Sequence, residues 1–533
     1  DISIGILHKI EYPKISFKIH QDSINRLKKY LANETIAYVA PDLEDMTGEI
    51  EKINRLRDSF DRITEHPESL ANPRLSSYLF DATKASPLSN DIINQRIEDI
   101  KKFQLNQSLN PSQISAIAKA VDAEDLALIQ GPPGTGKSTA IAELIWQLAR
   151  KNPKAKLLLT SEANLAVDNA LDKLKSSIHN IVKPIRIAAG DKFSAEGLSY
   201  AITEMKKWAS IELSPMEEDD NSLIQELDEY RTFNKRNIVL NRWLMNIFIR
   251  SKERHFDEDL QKQWYDILYN PPMHWRKKIF EEYRTHCNVI GATCSAITDI
   301  NYSESQKRHE FVPSRFIKKF WSIYMTNPKG KKPRLAFDVV IQDEASKATP
   351  AELSLPLSYG KKAVVIGDHR QLPPNLDKED ILFKLHMQRL KAKNREERDK
   401  IFELEKYVRK NFEVLEKSHF ERLFRQIDSS LKGTFDTQYR MHQDINDVIY
   451  QFYVEENGLQ CGVANEDRQH GINIPGLISP ENHVIWVDTN SPEVRDGTSR
   501  ANKGEVEAVK WILEKLSQSD SFKEYQRNLS TDE

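Results

Sequence analysis

Short runs of Val, Ile and Leu recur along the chain, and each is followed by a turn signal and then by a helical pattern. Four such runs are Leu126–Ile129, Leu157–Leu159, Phe337–Ile341 and Ala363–Ile366. Continuous apolar runs of this length are typical of parallel strands that are buried on both faces. The pattern therefore predicts an α/β fold, whose sheet would bind ligands at the carboxyl ends of its strands.

Two long stretches between these runs lack strand patterns and favour helices. In the first stretch, 196–284, an amphipathic spacing of i, i+3, i+4, i+7 and i+8 is formed by Leu240, Trp243, Leu244, Ile247 and Phe248. In the second, Lys378–Glu416, a charged sequence carries one apolar seam of Leu404, Val408, Phe412 and Leu415. We interpret the first stretch as an inserted helical subdomain and the second as a projecting helical pair.

A third stretch, 301–334, mixes basic and aromatic residues. They are Arg315, Lys318, Lys319, Lys329, Lys331 and Lys332 with Phe316, Phe320, Trp321 and Tyr324. This mixture suits contact with a single strand of nucleic acid, and it equally suits a surface loop with an apolar anchor. At the N-terminus, the alternation of Ile4 with Ile6 and of Ile15 with Phe17 and Ile19 predicts strands of a small β-barrel.

Composition narrows the class of protein. The 533 residues are 39% hydrophobic and 29% charged, and no run approaches the roughly 18 to 20 apolar residues of a membrane span. The three cysteines lack the spacing of a zinc or disulfide framework, which favours a reducing cytoplasmic or nuclear setting. The formal net charge of −3 means that a nucleic-acid groove would have to be a local basic patch.

The most specific motif is the sequence GPPGTGKS at 131–138, between the run Leu126–Ile129 and a helical pattern that starts at Thr139. It fits the P-loop pattern, in which backbone N–H groups surround the β-phosphate of a nucleotide. Lys137 would reach the β- and γ-phosphates, and the Ser138 hydroxyl would bind Mg²⁺.

An acidic pair follows a later strand. Asp343 and Glu344 come directly after the run that ends at Ile341. Asp343 is then placed to hold Mg²⁺ and Glu344 to polarise the attacking water. Because acidic pairs are common on surfaces, this assignment depends on the P-loop upstream.

GPPGTGKS, DEAS at 343–346, GDHRQLPP at 367–374 and QYRMH at 438–442 resemble, in this order, the motifs of superfamily 1 helicases. The resemblance is to the senataxin and nonsense-mediated-decay type, the branch that moves 5′ to 3′ on RNA or single-stranded DNA, and it covers about 109–516. It implies tandem RecA-like P-loop NTPase domains with large helical insertions. ATP and Mg²⁺ are the implied cofactors.

The resemblance also implies roles for single residues. The nucleotide would contact Gln113 through its adenine and the loop residues Gly131, Pro132, Pro133, Gly134, Thr135, Gly136, Lys137, Ser138 and Thr139. Tyr439 would lie against the adenine, Gln371 would sense the γ-phosphate, and Arg440 would act on it as an arginine finger. For Gln113 a second interpretation stays open, a capping box that Asn110 and Pro111 start.

Nucleic-acid contacts are implied for residues that follow two strands. Ser161, Asn164 and Asp168 match the motif after the second run, and Thr293 matches a later one. Hydroxyls and backbone N–H groups at such positions suit phosphate and sugar contacts. Helix capping by the Ser and Asn is an equally good interpretation of these residues.

The resulting domain prediction has five parts. They are an accessory region 1–107, a first RecA-like domain 108–195 that resumes at 285–425, a helical insertion 196–284, and the start of a second RecA-like domain at 426–533. Further insertions are expected at 301–334 and 376–416. The family's later strand-binding motif and second arginine have no match before Glu533, so we expect this second domain to be incomplete.

Three functions are compatible with these motifs. The first is an ATP hydrolase of the helicase type that moves on single-stranded RNA or DNA. The second is a nucleotide-gated binding or signalling module that recruits protein partners through its insertions without separating strands. The third is the helicase part of a prokaryotic antiviral defence protein. Strand-displacement assays distinguish the first from the second, and the choice between RNA and DNA stays open.

Overall fold

The computed structural model describes most of the chain. The described residues are 5–11, 14–19, 56, 59–176, 181–188, 194–210, 271–294, 334–374, 376–392, 394–456, 458–496 and 499–529, with short pieces at 239–240, 243–244, 246–247, 259–260, 262–263, 297 and 325–326. Phe248 and all the basic and aromatic residues named above in the stretch 301–334 lie outside them. No helix within the described part is long and apolar enough to cross a membrane.

Strands and helices alternate along the chain. The strands are β1 (Gly5–Glu11), β2 (Lys14–Ile19), β3 (Leu126–Gln130), β4 (Leu157–Ser161), β5 (Pro184–Ile187), β6 (Val289–Thr293), β7 (Met325–Thr326), β8 (Arg334–Leu335), β9 (Phe337–Gln342), β10 (Gly360–Gly367), β11 (Lys432–Thr434), β12 (Thr437–Gln438), β13 (Gln460–Cys461), β14 (Val494–Asp496) and β15 (Ser499–Ala501). The helices are α1 (Arg74–Tyr78), α2 (Asn90–Lys102), α3 (Pro111–Asp122), α4 (Lys137–Lys151), α5 (Asn164–Asp172), α6 (Ala195–Leu198), α7 (Ile202–Ser210), α8 (Met273–His286), α9 (Pro350–Leu357), α10 (Lys378–Lys391), α11 (Arg395–Glu416), α12 (His419–Gln426), α13 (Gln443–Tyr450), α14 (Lys503–Gln518) and α15 (Asp520–Leu529).

A seven-stranded parallel sheet forms the centre of the fold. Its strand order is β11-β3-β10-β9-β4-β6-β5, and every neighbouring pair is parallel. Every residue of β3, β4 and β6 is buried, as expected for strands that helices cover on both faces. The α/β prediction is confirmed, and the four apolar runs form β3, β4, β9 and β10.

The chain divides into two compact units. The larger contains the described residues of 55–441 and 449–462, and the smaller contains those of 1–54, 442–448 and 463–533. In the smaller unit, β1 and β2 pair as an antiparallel hairpin. This shows two N-terminal strands, and the small β-barrel stays a prediction. The larger unit holds the whole seven-stranded sheet.

The charged stretch 378–416 forms the expected helical pair. Helices α10 and α11 pack against each other, and Leu382, Val408 and Phe412 form a small apolar cluster of their own. Leu404, which the sequence places on the same seam, is 48% exposed. The contact therefore covers a narrower strip of α11 than its apolar spacing predicts. In the stretch 196–284, Leu240 and Leu244 are buried in a second core with Trp208 and Tyr283, as the amphipathic spacing predicts.

Strand β11 extends the sheet beyond the P-loop strand. Gly433 faces Ile129 in the β11–β3 ladder, and the Phe435 N–H donates to the Gln130 carbonyl at 2.9 Å. The domain prediction assigned 426–441 to the second RecA-like domain. In the structure these residues belong to the larger unit, because β11 hydrogen-bonds directly to β3.

The β11 contact is tight enough to be tested by one methyl group. A Cβ on Gly433 would lie 2.3 Å from the Ala116 Cβ on α3, so we expect Gly433→Ala to lower the free energy of unfolding by about 1 to 3 kcal/mol. Ala116→Gly removes the nearer of two close contacts, because the Ala116 Cα, 2.7 Å from the added Cβ, remains. In chemical denaturation of the single and double variants, the double variant should therefore regain only part of the loss, about 0.5 to 1 kcal/mol over additivity. Strictly additive losses would contradict the contact of Gly433 with the Ala116 Cβ.

Candidate nucleotide-binding site

The predicted motifs converge at one edge of the seven-stranded sheet. The P-loop follows β3, Asp343 follows β9, and Asp368 follows β10, which hydrogen-bonds to both of these strands. The Gly131 N–H donates to the Gly367 carbonyl at 2.8 Å. Because parallel strands end at the same edge, these loops form a single site.

Two glycines give the P-loop its shape. Gly134 and Gly136 both have a φ of +73°, a backbone conformation that other residues adopt only at a cost in free energy. Gly136 also precedes α4 as its N-cap, so the first N–H groups of that helix face the loop. The Lys137 ammonium donates to the Gly131 carbonyl at 2.9 Å. Unpaired N–H groups and a lysine at a helix start are the arrangement that binds phosphate.

Gln113 lies against this loop. Asn110 and Gln113 form the capping box of α3, which confirms the capping interpretation. The Gln113 Nε2 also donates to the Thr135 carbonyl at 2.8 Å, and a Cβ on Gly136 would lie 2.9 Å from that Nε2. Gln113 therefore braces the P-loop, and its contact with adenine stays a prediction.

Tyr439 and Arg440 also pack on the P-loop. The Tyr439 N–H donates to the Gly134 carbonyl at 2.9 Å, and its hydroxyl accepts a bond from Asn110 Nδ2 at 3.0 Å. A Cβ on Gly134 would lie 2.7 Å from the Arg440 Cβ. Tyr439 and Arg440 are thus fixed at the P-loop, and both belong to the same unit as that loop.

Asp343 is a buried carboxylic acid. The residue is 4% exposed, and burial, only partly offset by the charge of Lys137, raises its pKa to about 6. One oxygen accepts a bond from the Glu344 N–H at 2.8 Å. A buried carboxylate at the end of a strand and the Ser138 hydroxyl are both hard oxygen donors, the type that Mg²⁺ selects. The donor set therefore fits Mg²⁺.

Burial of Asp343 should make stability depend on pH. A pKa raised from 3.8 to about 6 in the folded state means that the folded chain binds more protons than the unfolded chain between these values, so stability falls as pH rises. We expect Asp343→Asn to stabilise the chain by up to about 3 kcal/mol at pH 8 and by little at pH 4. The measurement is denaturant unfolding in the presence of EDTA at both pH values. An equal effect at both would contradict the buried charge.

Glu344 adopts a strained backbone. Its φ of +55° makes it the one non-glycine residue with a positive φ in the described chain. Its carboxylate lies 3.4 Å from the Lys347 ammonium. Strain of this kind concentrates at functional sites, and here it places a carboxylate beside the magnesium candidate Asp343.

The strained backbone at Glu344 predicts that a substitution can raise stability while it removes activity. Glu344→Gly and Glu344→Ala both remove the carboxylate, but only glycine relieves the left-handed backbone. We therefore expect the glycine variant to be more stable than the alanine variant by about 1 kcal/mol in chemical denaturation. Both should lose ATP turnover. A glycine variant that is less stable than the alanine variant would show that the positive φ is not held in solution.

Three of the four residues expected to contact nucleic acid are buried. Ser161 is fully buried and Thr293 is 6% exposed. The Asp168 carboxylate is buried in an ion pair of 2.6 Å with Arg186, whose guanidinium also donates to the Asn164 Oδ1 at 2.8 Å. Asp168 thus holds a buried arginine, a role that its motif does not indicate. We therefore do not expect its carboxylate to contact a nucleic-acid strand. The contacts of the other three stay predictions.

A second group of titratable residues lies in the smaller unit. The ring nitrogens of His442 and His483 and a carboxylate oxygen of Asp444 lie within 4.8 Å of one another. However, the His442 Nδ1 accepts a bond from the Asp444 N–H at 3.2 Å, and the two imidazoles stack with their planes 6° apart. Parallel rings do not aim their lone pairs at one ion, so this group supports the start of α13.

Comparison with known proteins agrees with this geometry. A family model described as an AAA domain matches residues 108–379, just over half of the chain, and a second AAA-domain model matches 415–527. DNA polymerase alpha-associated DNA helicase A of Saccharomyces cerevisiae is 24% identical over 490 residues, which are 88% of this chain and 60% of that protein. DNA-binding protein SMUBP-2 of Rattus norvegicus is 23% identical over 77% of this chain and 34% of its own length.

A further relative is a regulator of nonsense transcripts 1 homolog of Neurospora crassa, 23% identical over 78% of this chain and 29% of that protein. The fold and site are those of a P-loop nucleotide hydrolase. Within that class, the chain belongs to the superfamily 1 helicases that carry these AAA domains. It spans 60% or less of the length of each of the three relatives described.

Proposed function

We propose that the chain is an ATP-driven motor that moves along single-stranded nucleic acid and separates strands. The observation that carries this proposal is the meeting of the P-loop, Asp343, Glu344, Tyr439 and Arg440 at one sheet edge, in a family of helicases. The relatives are named as a DNA helicase, a DNA-binding protein and a regulator of nonsense transcripts.

ATP binding would use residues that contact phosphate or base before any bond is broken. The N–H groups at the start of α4 and the Lys137 ammonium would hold the β- and γ-phosphates. Ser138 and Asp343 would hold Mg²⁺, which when bound neutralises charge on the phosphate oxygens. Tyr439 is 39% exposed beside the loop, and its ring would lie against the adenine.

Hydrolysis would depend on three further residues. Glu344 would accept a proton from the attacking water and orient it towards the γ-phosphate. Gln371 would contact the γ-phosphate, and Arg440 would stabilise the negative charge that develops on it. Each of these contacts strengthens as the transition state forms, which is why they would govern turnover more than binding.

Movement along a strand would couple this cycle to nucleic acid. Stacking on aromatic side chains and phosphate contacts grip any sequence, so we propose activity on both RNA and single-stranded DNA. The direction that the family resemblance implies is 5′ to 3′. A strand-displacement assay with a 5′ or a 3′ single-stranded tail tests that direction.

Two substitutions separate binding from turnover. Lys137→Ala removes a ground-state phosphate contact, so we expect ATP affinity to fall at least about tenfold. Glu344→Gln keeps the size of the side chain but removes the base, so we expect unchanged affinity and turnover lower by about 10² to 10⁴. The measurements are nucleotide titration and steady-state ATPase with and without single-stranded oligonucleotides.

Lys154→Ala, at an exposed position in the loop between α4 and β4, provides a control for the loss of a positive charge and should leave both values unchanged. Equal loss of ATP affinity in the Lys137 and Glu344 variants would remove the role proposed for Glu344. In a chain that also carries the family's later strand-binding motif, turnover that no oligonucleotide stimulates would contradict the motor.

A further inference from the structure

A buried carboxylate connects the expected γ-phosphate sensor to a tyrosine that no motif includes. Asp368 is 2% exposed. Its Oδ1 accepts bonds from Gln130 Nε2 at 2.6 Å and from the Arg370 N–H at 3.2 Å. Its Oδ2 accepts bonds from Gln371 Nε2 at 2.8 Å and from the Tyr453 hydroxyl at 2.8 Å. Asp368 thus holds the sensor side chain and the tyrosine on the same oxygen.

The position of Tyr453 is fixed by its surroundings. The residue is 3% exposed, and its carbonyl accepts bonds from the N–H groups of Glu456 at 3.0 Å and Gly458 at 2.9 Å. Burial and the neighbouring carboxylate of Asp368 raise the pKa of the Tyr453 hydroxyl. The phenol therefore stays protonated and remains a donor to Asp368 at neutral pH.

Ion pairs also join the residues after Asp368 to the residues after Tyr453. Arg370 donates to the Glu456 carboxylate at 2.7 Å, and His369 Nε2 lies 3.0 Å from the same group. The Glu456 side chain is only 8% exposed, so this pairing is shielded from solvent. We call the contact between 368–371 and 453–456 the latch.

One side of the latch lies on the chain segment that carries Arg440. This segment connects β12 to β13, and these two strands pair with each other at Thr437 and Gln460. Tyr453 therefore lies on the same segment as Arg440. Gln371 and Tyr453 both bond to the Asp368 carboxylate.

We propose that Tyr453 is a positioning residue that lets Gln371 leave Asp368 for the γ-phosphate. When the Gln371 amide turns to the nucleotide, Asp368 Oδ2 loses one of its two partners in a buried setting. A buried carboxylate oxygen without a partner is unfavourable, and the Tyr453 hydroxyl keeps that oxygen bonded. Without the hydroxyl, Asp368 would retain Gln371, and the sensor would engage the phosphate less often.

This inference rests on the proposed ATPase and predicts a specific kinetic pattern. In the chain 1–533, Tyr453→Phe should lower kcat by about tenfold, the scale of one hydrogen bond to a carboxylate, while KM for ATP stays unchanged. Tyr407→Phe is the matched control, because Tyr407 is 55% exposed on α11, and it should behave as wild type. A Tyr453→Phe variant that unfolds earlier but keeps its kcat would show a structural role only and overturn the proposal.

A double-mutant cycle identifies the route of the effect. If Tyr453 acts through Asp368 on Gln371, then Tyr453→Phe should have no further effect on kcat in a Gln371→Ala background. An equal loss of kcat in both backgrounds would overturn the proposal, because Tyr453 would then act elsewhere.

Hydrogen exchange tests the latch independently of turnover. Tyr453→Phe should speed amide exchange in peptides that cover 366–372 and 453–460, whereas Tyr407→Phe should not. Wild-type chain without detectable ATP turnover would contradict the proposed function, whereas unchanged exchange in both peptides would overturn the latch and with it this inference, so the two failures are distinguishable.

Discussion

The hydrogen bonding of β11 to β3 is the constraint on which the site depends. This parallel pair carries the chain from Leu431 to the edge of the sheet where the P-loop begins. From there the Phe435 N–H reaches Gln130, and the Tyr439 N–H reaches Gly134. Arg440 is one residue further along. The register of one short strand thus determines where a cation lies relative to the phosphate loop.

The same edge carries two features that reduce stability. Asp343 is a carboxylate with almost no solvent exposure, and burial raises its pKa, while Glu344 holds a left-handed backbone. Each is unfavourable on its own. The buried strands β3, β9 and β10 hold these residues in place, because their ladders fix the ends of all three loops. Rigid strands that support strained loops are a common basis for preorganised catalysis.

The parts of the fold that local patterns encode were predictable. Apolar runs identify β3, β4, β9 and β10, and the P-loop spacing identifies the phosphate site, because each of these signals lies within a few consecutive residues. Asn110 and Gln113 likewise form a capping box that the sequence spells out. These features depend on backbone geometry that neighbouring residues determine.

The parts that depend on distant pairing were not predictable. Asp168 lies on helix α5, and its partner Arg186 lies 18 residues away on strand β5. Tyr453 is 85 residues from Asp368, and nothing in its local sequence indicates a buried hydrogen bond. The assignment of 426–441 to the second domain followed the order of the motifs, whereas the pairing of β11 with β3 places these residues in the larger unit. Such contacts follow from the tertiary fold and not from spacing.

The position of Arg440 beside the P-loop is the central claim, and single-turnover hydrolysis tests it most directly. Arg440→Ala and Arg440→Lys would be compared with wild type at saturating ATP, with and without a single-stranded oligonucleotide. The account predicts that the alanine variant binds ATP with little change and hydrolyses it about 10³-fold or more slowly, with partial recovery in the lysine variant. Hydrolysis at the wild-type rate by Arg440→Ala would contradict the account.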